Sequence, residues 1–261
     1  MGVNIQELNN AENIFLNYLL PRIGTSSGTE HVHFVQVGAN VSNVDGDPIF
    51  PYINANLWKG LLIEPIPHVF QELKTQLSHI EGLRFANCAI SPEPGEKTIY
   101  FPEGRTVLAS FDPAVVRSHY PGQNIALVEE TVPCDTLENV IAANGISHID
   151  VLVTDTEGHD AQILLNTDFT AITPGAILFE AKHLSAEDRQ AAAEHLQKFG
   201  YIVIEMGANT FAVRPTEATQ DFYLLVKALF TEFRNMEARS MQTILSLQQF
   251  TNAVIQSTPR S

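Results

Sequence analysis

The stretch FVQVGANVSNVDGDPIF, residues 34–50, decides the fold. An apolar run from Val35 to Val37 meets one glycine, Gly38, and a small polar segment with two aspartates follows. A strand that ends in a glycine turn begins many nucleotide sites, and dinucleotide sites carry three glycines in the pattern G-x-G-x-x-G. This stretch has only Gly38 and Gly46. The pattern therefore favours a ligand that has no pyrophosphate.

Predicted strands and helices alternate around this stretch. Apolar segments predict strands at 32–37, 59–65, 83–90, 148–155 and 175–183, and a closing strand pair at 201–207 and 210–215. An amphipathic helix is predicted over 67–80, with Pro67 in its first turn, and another from a cap at Ser185 to a stop at Gly200. Strands and helices joined by short connections are typical of a parallel α/β sheet.

The middle of the chain differs from this alternation. Residues 91–133 predict short strands and loops, and a helix is then expected with Asp135 as its N-cap and Gly145 at its end. The segment before the first strand predicts a helix over 5–19 that stops at Pro21. We therefore predict an N-terminal helical segment at 1–30, one α/β domain at 31–215 and a C-terminal helical extension at 216–261.

Apolar residues recur at helical spacing in the C-terminal extension: Phe222, Val226, Leu229, Phe233, Met236, Ile244, Leu247, Phe250 and Val254. Each large side chain left in water costs about 1.5–3 kcal/mol. The stripe must be covered, and we expect a homodimer through this helix, with packing on its own domain as the alternative. Interspersed charges exclude a membrane span.

Composition limits the possible partners and location. The formal net charge is −15, and no Lys/Arg cluster is present, so nucleic acid and anionic membranes are poor partners. The N-terminal residues lack the pattern of a secretory signal. Two widely spaced cysteines, Cys88 and Cys134, give no disulfide framework. These features predict a cytoplasmic protein.

Glu64 indicates the class of ligand. It closes the apolar run LLIE, where a buried carboxylate is costly without partners. A carboxylate at this strand end can accept hydrogen bonds from both hydroxyls of a ribose, although nearby backbone N–H groups are an alternative partner. A ribose without a pyrophosphate fits S-adenosylmethionine (SAM), and the missing glycines disfavour an NAD-dependent oxidoreductase.

The segment VTDTEGHD carries the densest group of ionisable residues, namely Asp155, Glu157, His159 and Asp160. Glu180 and His183 stand at the end of the predicted strand 175–183. The catalytic candidates are Asp155, Glu157, His159, Glu180 and His183. Three carboxylates at one strand end repel one another unless a cation lies among them. Either Asp155 with His159 or His183 acts as a general base, or Asp155 and Glu180 hold a divalent cation, Mg²⁺ or Ca²⁺. Helix capping is the alternative role of Glu157 and of Asp160. His119 and the remaining histidines receive no role.

The motifs FVQVGAN, DGDP, WKGLLIEPIPHVFQEL, NCAI, DTL and IDVLVTDTEGHDAQIL, in this order over residues 32–205, resemble the FkbM family of SAM-dependent methyltransferases. The resemblance implies a class I, Rossmann-like fold: a mostly parallel sheet of seven strands with flanking helices, whose last strand is antiparallel. It also implies O-methylation of a hydroxyl on a sugar, a glycan or a natural product. The chain departs from the family at His159 and Asp160, where many members have a small residue and then glutamate. The long C-terminal segment is a second departure.

The resemblance also implies roles for single residues. The methionine part of SAM would face Gln36, Gly38, Ala39 and Asn40. The ribose would be held by Glu64, next to Pro65, and the adenine would be flanked by Asn87, Cys88 and Ala89. Asp155, Glu157 and Gly158 stand where the D-x-E-G motif of the family stands.

A different class of function is a non-catalytic scaffold with a methyltransferase-like fold that assembles through its C-terminal helix. Glu64 and Asp155 argue against this alternative, because a scaffold has no need of a carboxylate at either strand end. The expected partner is then a small-molecule or glycan acceptor.

Overall fold

The structure, a computed structural model, describes residues 31–41, 47–55, 57–217, 219–232, 234–236, 239 and 242. The helix predicted over 5–19 lies outside these residues, as do Phe233 and the second half of the C-terminal apolar stripe, from Ile244 to Val254.

The described residues form strands β1 (Val32–Val37), β2 (Trp58–Ile63), β3 (Leu83–Ala86), β4 (Ala89–Ile90), β5 (Gly95–Phe101), β6 (Val128–Asp135), β7 (Val151–Thr154), β8 (Ala176–Glu180), β9 (Ile202–Glu205) and β10 (Asn209–Val213). They also form helices α1 (Phe50–Asn54), α2 (Pro67–Leu77), α3 (Pro113–Ser118), α4 (Leu137–Ala143), α5 (Asp160–Asn166) and α6 (Ala186–Lys198). A short 3₁₀ turn spans Thr106–Leu108.

Seven strands form one sheet in the order β3-β2-β1-β7-β8-β10-β9. Strands β3, β2, β1, β7 and β8 run parallel to one another, and β10 is antiparallel to both β8 and β9. This arrangement confirms the predicted Rossmann-like sheet with an antiparallel last strand. Val37 lies level with Ile63 of β2 and with Thr154 of β7, so the carboxyl ends of these three strands meet at one edge.

The core explains why the central strands read as continuous apolar runs. Val35, Leu61, Leu152 and Ile177 are fully buried, as expected for parallel strands that are covered on both faces. Helix α2 buries its apolar face through Val69, Phe70, Leu73 and Leu77. Pro67 stands at its start as predicted, where the missing N–H costs no helical hydrogen bond.

The third predicted strand, 83–90, is two strands in the structure. β3 joins the large sheet, whereas β4 joins a three-stranded sheet in the order β4-β6-β5. Asn87 lies between them, and its side-chain amide donates to the backbone oxygens of Glu64 and Pro65, at 2.9 and 3.0 Å. These bonds satisfy two carbonyls beyond the end of β2 and mark the point where the chain leaves the large sheet.

The predicted cap at Asp135 is wrong by one residue. Asp135 ends β6, and Thr136 is the N-cap of α4, because its hydroxyl accepts from Asn139 N at 3.2 Å. The cap predicted at Ser185 is confirmed, since its hydroxyl accepts from Asp188 N at 3.0 Å.

The chain divides into two compact units, one ending at Pro215 and the other beginning at Thr216. The described part of the second unit is helical over 220–232. Among the described residues, no helix has both the length and the apolar character needed to cross a membrane.

Candidate functional site

The carboxyl ends of β1, β2, β7 and β8 open into a cavity of about 500 Å³. Its wall includes these predicted site residues: Gln36, Gly38, Ala39, Asn40, Glu64, Pro65, Ala89, Asp155, Glu157, His159 and Glu180. Three predicted residues are not part of the wall, namely Asn87, Cys88 and His183. Ligands of open α/β sheets bind at this edge, so the fold brings most of the predicted site together.

Gly38 permits the backbones after β1 and β7 to approach each other. It has φ +80°, and a Cβ on it would lie 1.9 Å from the backbone oxygen of Asp155. Glycine tolerates this conformation, and any larger residue would collide with the neighbouring strand end. The backbone N–H groups of Gly38 and Ala39 both donate to Ile63 O at 3.0 Å, which holds the turn after β1 against the end of β2.

Glu64 is buried and lies between two backbone donors. Its Oε2 accepts from Asn40 N at 2.9 Å, and its Oε1 accepts from Ile66 N at 2.8 Å. Burial raises the pKa of Glu64 to about 7, against the opposing effect of these two bonds. Each carboxylate oxygen has a further lone pair, so the backbone bonds leave acceptor capacity on the cavity side.

Asp47 belongs to the site although sequence reasoning did not select it. It lines the cavity, and its Oδ2 accepts from Gln36 Nε2 at 3.1 Å. Its Oδ1 accepts from the backbone N–H groups of Ile49 and Phe50 at the start of α1. The available signal was the DGDP motif, in which an aspartate precedes Pro48 and a helical segment.

The segment after β3 lies only partly at the cavity. Ala89 lines the cavity, but the Asn87 amide is directed to the backbone oxygens after β2. Cys88 lies outside the cavity wall, and burial raises the pKa of its thiol to about 11. A thiol with this pKa stays protonated at neutral pH, so Cys88 supplies no thiolate at this strand end.

Three carboxylates crowd together at the ends of β7 and β8. Asp155, Glu157 and Glu180 each place one oxygen within 4.8 Å of the others. The surrounding protein and the neighbouring carboxylates raise the pKa of Asp155 to about 8, although its side chain is open to the cavity. Desolvation and Asp155 raise the pKa of Glu180 to about 9, and burial raises that of Glu157 to about 7. Such a group retains protons at neutral pH unless a cation joins it.

Lys182 is the cation that the protein itself supplies. It lines the cavity, and it lowers the pKa of Asp155, Glu157 and Glu180 against the larger effect of burial. Lys182 lies in the predicted strand 175–183 and was not among the predicted site residues. One lysine offsets only part of the charge of three carboxylates.

The two histidines selected from sequence occupy different places. His159 lines the cavity, with its ring edge-on to Phe111 at 5.0 Å between ring centroids. Burial lowers the pKa of His159 to about 4. His183 lies outside the cavity wall, with its Nε2 3.0 Å from Glu157 Oε2, and burial lowers its pKa to about 4 as well. Both imidazoles are therefore neutral at pH 7, and each has a ring nitrogen that can accept a hydrogen bond.

His119 also belongs to this cluster, and no sequence signal pointed to it. It follows α3, 38 residues before Glu157 in the chain, and its Nε2 lies 3.2 Å from Glu157 Oε2. The turn at 106–108 and Phe111 line the cavity. These residues come from the middle segment, whose loops have no periodic pattern from which their position could be predicted.

The sequence pattern of the Methyltransferase FkbM domain matches residues 36–209, which is more than half of the chain. No curated protein sequence gives a significant match.

Solved structures that resemble this chain include methyltransferase FkbM from Methylobacillus flagellatus KT, at 11% identity and a TM-score of 0.46 over 70% of this chain. This chain spans 44% of the length of that protein. Another is fibrillarin from Aeropyrum pernix in complex with S-adenosyl-L-methionine, at 10% identity and a TM-score of 0.38 over 74% of this chain and 73% of that one.

Proposed function

This chain belongs to the FkbM methyltransferase family, and we propose that it transfers a methyl group from SAM to a hydroxyl of a sugar, a glycan or a natural product. The observation that carries the proposal is the cavity at the ends of β1, β2, β7 and β8, which joins a carboxylate suited to a ribose with a strongly acidic end. The acceptor, a small molecule or a glycan, is the expected partner.

The acceptor atoms of the cavity fit SAM. Glu64 has free lone pairs for ribose hydroxyls. Gln36 Oε1 and Glu180 Oε2 are buried and have no hydrogen-bond partner among the described residues, and either oxygen can accept a hydrogen bond from an ammonium group. When bound, SAM supplies an electrophilic methyl group on a positively charged sulfur, and the carboxylates of Asp155, Glu157 and Glu180 favour a positive charge at this end of the cavity.

The chain must also remove a proton from the acceptor hydroxyl, which is a very weak acid. The proposed base is His159 together with Asp155, because both side chains line the cavity. His183 is the second candidate for the base, through its contact with Glu157. General bases of this kind contribute about 10²–10⁴-fold to a rate.

The alternative mechanism uses Mg²⁺ or Ca²⁺ held by Asp155 and Glu180, for which the support is the close approach of three carboxylates. Chelator treatment separates the two mechanisms. Activity that is lost with chelator and restored by Mg²⁺ or Ca²⁺ supports the hard cation. Activity that is indifferent to chelator supports the base alone.

Calorimetry with SAM and with S-adenosylhomocysteine tests the cofactor site. Glu64→Ala removes the proposed ribose acceptor and should weaken binding by about 1–3 kcal/mol. Glu129→Ala, a matched change at an exposed glutamate of β6, should leave the affinity unchanged. Absence of binding to the wild type, or an equal affinity in Glu64→Ala, would contradict the assignment of this site.

A homodimer through the C-terminal helix is also part of the proposal. Leu225, Leu229 and Met236 expose 59, 56 and 62% of their surface, and their spacing of four and seven residues places them along one helical face. Apolar exposure of this kind marks interaction surfaces.

A cytoplasmic location completes the proposal, since Cys88 and Cys134 are free thiols, as is usual in reducing compartments.

Light scattering on the full chain, on Leu225→Glu/Leu229→Glu and on a chain that ends at Arg214 tests the dimer. The full chain should have twice the monomer mass, and the other two should be monomeric because the apolar face is charged or absent. Glu217→Lys/Asp221→Lys, a pair of charge changes at exposed residues, serves as the control. A monomeric full chain would remove the dimer.

A further inference from the structure

Two imidazoles and one carboxylate converge beside the cavity. Glu157 Oε2 lies 3.2 Å from His119 Nε2 and 3.0 Å from His183 Nε2. The two imidazole rings are 4.7 Å apart between centroids. The side chains of His119, Glu157 and His183 expose only 14, 14 and 11% of their surface. The cluster is therefore well shielded from bulk water.

None of the three converging atoms forms a hydrogen bond within the described part of the chain. His119 Nε2, Glu157 Oε2 and His183 Nε2 are all buried without a partner, although they approach to about hydrogen-bond distance. Buried polar atoms are almost always bonded. The three atoms lie within 4.8 Å of one another without a hydrogen bond among them, and this leaves a role for a bridging atom.

The distances fit the coordination sphere of a metal ion. Bonds of about 2.0–2.1 Å from a metal to nitrogen and oxygen place neighbouring ligand atoms about 2.9–3.4 Å apart, from octahedral to tetrahedral geometry. The two measured separations, 3.2 and 3.0 Å, lie within this range. The three ligand atoms also lie within 4.8 Å of one another.

The fold builds this cluster from three separate segments. His119 follows α3, Glu157 lies between β7 and α5, and His183 follows β8. Gly158 has φ +100°, a backbone conformation that favours glycine, and its Cβ position would be in ordinary van der Waals contact with Val115 and His183, at 3.4–3.5 Å. The hydroxyl of Ser110 donates to the backbone oxygen of Glu157 at 2.6 Å and holds this turn in place. The convergence is therefore supported by packing and does not depend on one flexible side chain.

We propose that His119, Glu157 and His183 bind one divalent transition-metal ion of the Zn²⁺ or Fe²⁺ type. Two imidazoles and one carboxylate suit these ions, whereas Mg²⁺ and Ca²⁺ prefer oxygen ligands alone. The ligand set differs from the Asp155 and Glu180 pair considered above. Three protein ligands leave further coordination positions for water or for an acceptor oxygen.

The proposed ion has a consequence for the cavity. Glu157 belongs to the cavity wall and lies close to Asp155 and Glu180. A metal ion bound to the carboxylate of Glu157 would therefore offset the repulsion among the three carboxylates. This consequence rests on the proposed function, but binding of the metal does not.

Titration of the metal-depleted full chain with Zn²⁺, in competition with a chromophoric chelator, tests the proposal. One equivalent should bind, and His119→Ala and His183→Ala should each weaken binding by at least about tenfold. His148→Ala is the matched control, since His148 Nε2 also contacts a carboxylate, Asp150 Oδ1, at 2.8 Å outside the cluster. The control should bind Zn²⁺ as the wild type does. His119→Gln, with a circular-dichroism spectrum equal to that of the wild type, serves if the alanine variants do not fold.

Co²⁺ gives an independent readout, because its visible absorption bands report imidazole coordination. The bands should appear with the wild type and be lost with His183→Ala. Absence of stoichiometric Zn²⁺ binding, or equal binding by wild type and both cluster variants, overturns the proposal. SAM binding to the metal-free protein is measured alongside. SAM binding without Zn²⁺ binding removes the metal alone, and Zn²⁺ binding without SAM binding removes the proposed function alone.

Discussion

The cavity wall has two halves, one at the ends of β1 and β2 and one at the ends of β7 and β8, and their carboxylates differ in hydrogen bonding. At the ends of β1 and β2, each oxygen of Glu64 accepts one backbone N–H. At the ends of β7 and β8, the acidic groups stand against one another, and Glu157 Oε2 and Glu180 Oε2 have no hydrogen-bond partner among the described residues. The first half is ready for a neutral, hydroxyl-bearing group. The second half requires a proton or a cation, which is the electrostatic situation found at reactive sites.

Gly38 is the point where these halves meet, because its Cα faces the backbone oxygen of Asp155 across the gap between β1 and β7. The arrangement of the acidic half therefore depends on a glycine in the other half. Substitutions in the half at β1 and β2 therefore test SAM binding, and substitutions in the half at β7 and β8 test methyl transfer.

Asp155→Asn should have the largest effect on activity. We expect methyl transfer to fall by about 100-fold or more, because Asp155 acts with the base in the proposed reaction. SAM affinity should stay within a few fold, and the midpoint of thermal unfolding should be equal or higher, since the change removes one of three crowded carboxylates. Rates with the best acceptor from a panel of glycans and natural products are the measurement.

Asp221→Asn, at an exposed aspartate, controls for the substitution itself. If the activity of Asp155→Asn survives within a few fold, Asp155 is a structural carboxylate and the contrast between the two halves loses its chemical meaning.

The half at β1 and β2 could be predicted from sequence because short, local sequence patterns mark its residues. A strand, a glycine and a carboxylate at the end of the next strand are all visible as patterns in Val37, Gly38 and Glu64. The parallel sheet followed from the same alternation of apolar runs and helices, which a strand buried on both faces imposes on its sequence.

The half at β7 and β8 was predictable only in part. VTDTEGHD showed that charges crowd at one strand end, but His119 reaches Glu157 from a loop 38 positions earlier, where no periodicity constrains the sequence. The split of β3 from β4 was missed for a similar reason: the bonds that Asn87 donates to Glu64 O and Pro65 O are long-range. Contacts of this kind are fixed by tertiary structure.

Gly38→Ala should break the contact between the halves. A Cβ at 1.9 Å from Asp155 O, at φ +80°, combines a steric collision with an unfavourable backbone conformation, and we expect a loss of about 3–4 kcal/mol in the free energy of unfolding. Gly200→Ala separates the two causes, because Gly200 has φ +86° but no atom within 4 Å of its Cβ position.

The control should lose only about 1–2 kcal/mol, the cost of the left-handed conformation. Denaturant unfolding of both variants measures the difference. Equal losses would mean that the close approach of β1 and β7 relaxes at little cost.

Glu64 gives the smallest expected effect, and it concerns pH. Burial raises the pKa of Glu64 from 4.5 to about 7, so between these values the native state binds more protons than the unfolded state does. The free energy of unfolding therefore falls as pH rises through this window, by about 2–3 kcal/mol for this group. Glu64→Gln does not titrate, and its unfolding free energy should depend on pH less steeply by that amount.

Urea unfolding at pH 4.5 and pH 8 of the wild type, Glu64→Gln and the exposed control Glu129→Gln gives the comparison. Glu129→Gln should follow the pH dependence of the wild type. If Glu64→Gln does so too, the N–H groups of Asn40 and Ile66 keep Glu64 ionised throughout the window. The cost of burying the Glu64 carboxylate would then be fully offset by these two hydrogen bonds. The two halves of the wall would differ more in their electrostatics than the raised pKa of Glu64 indicates.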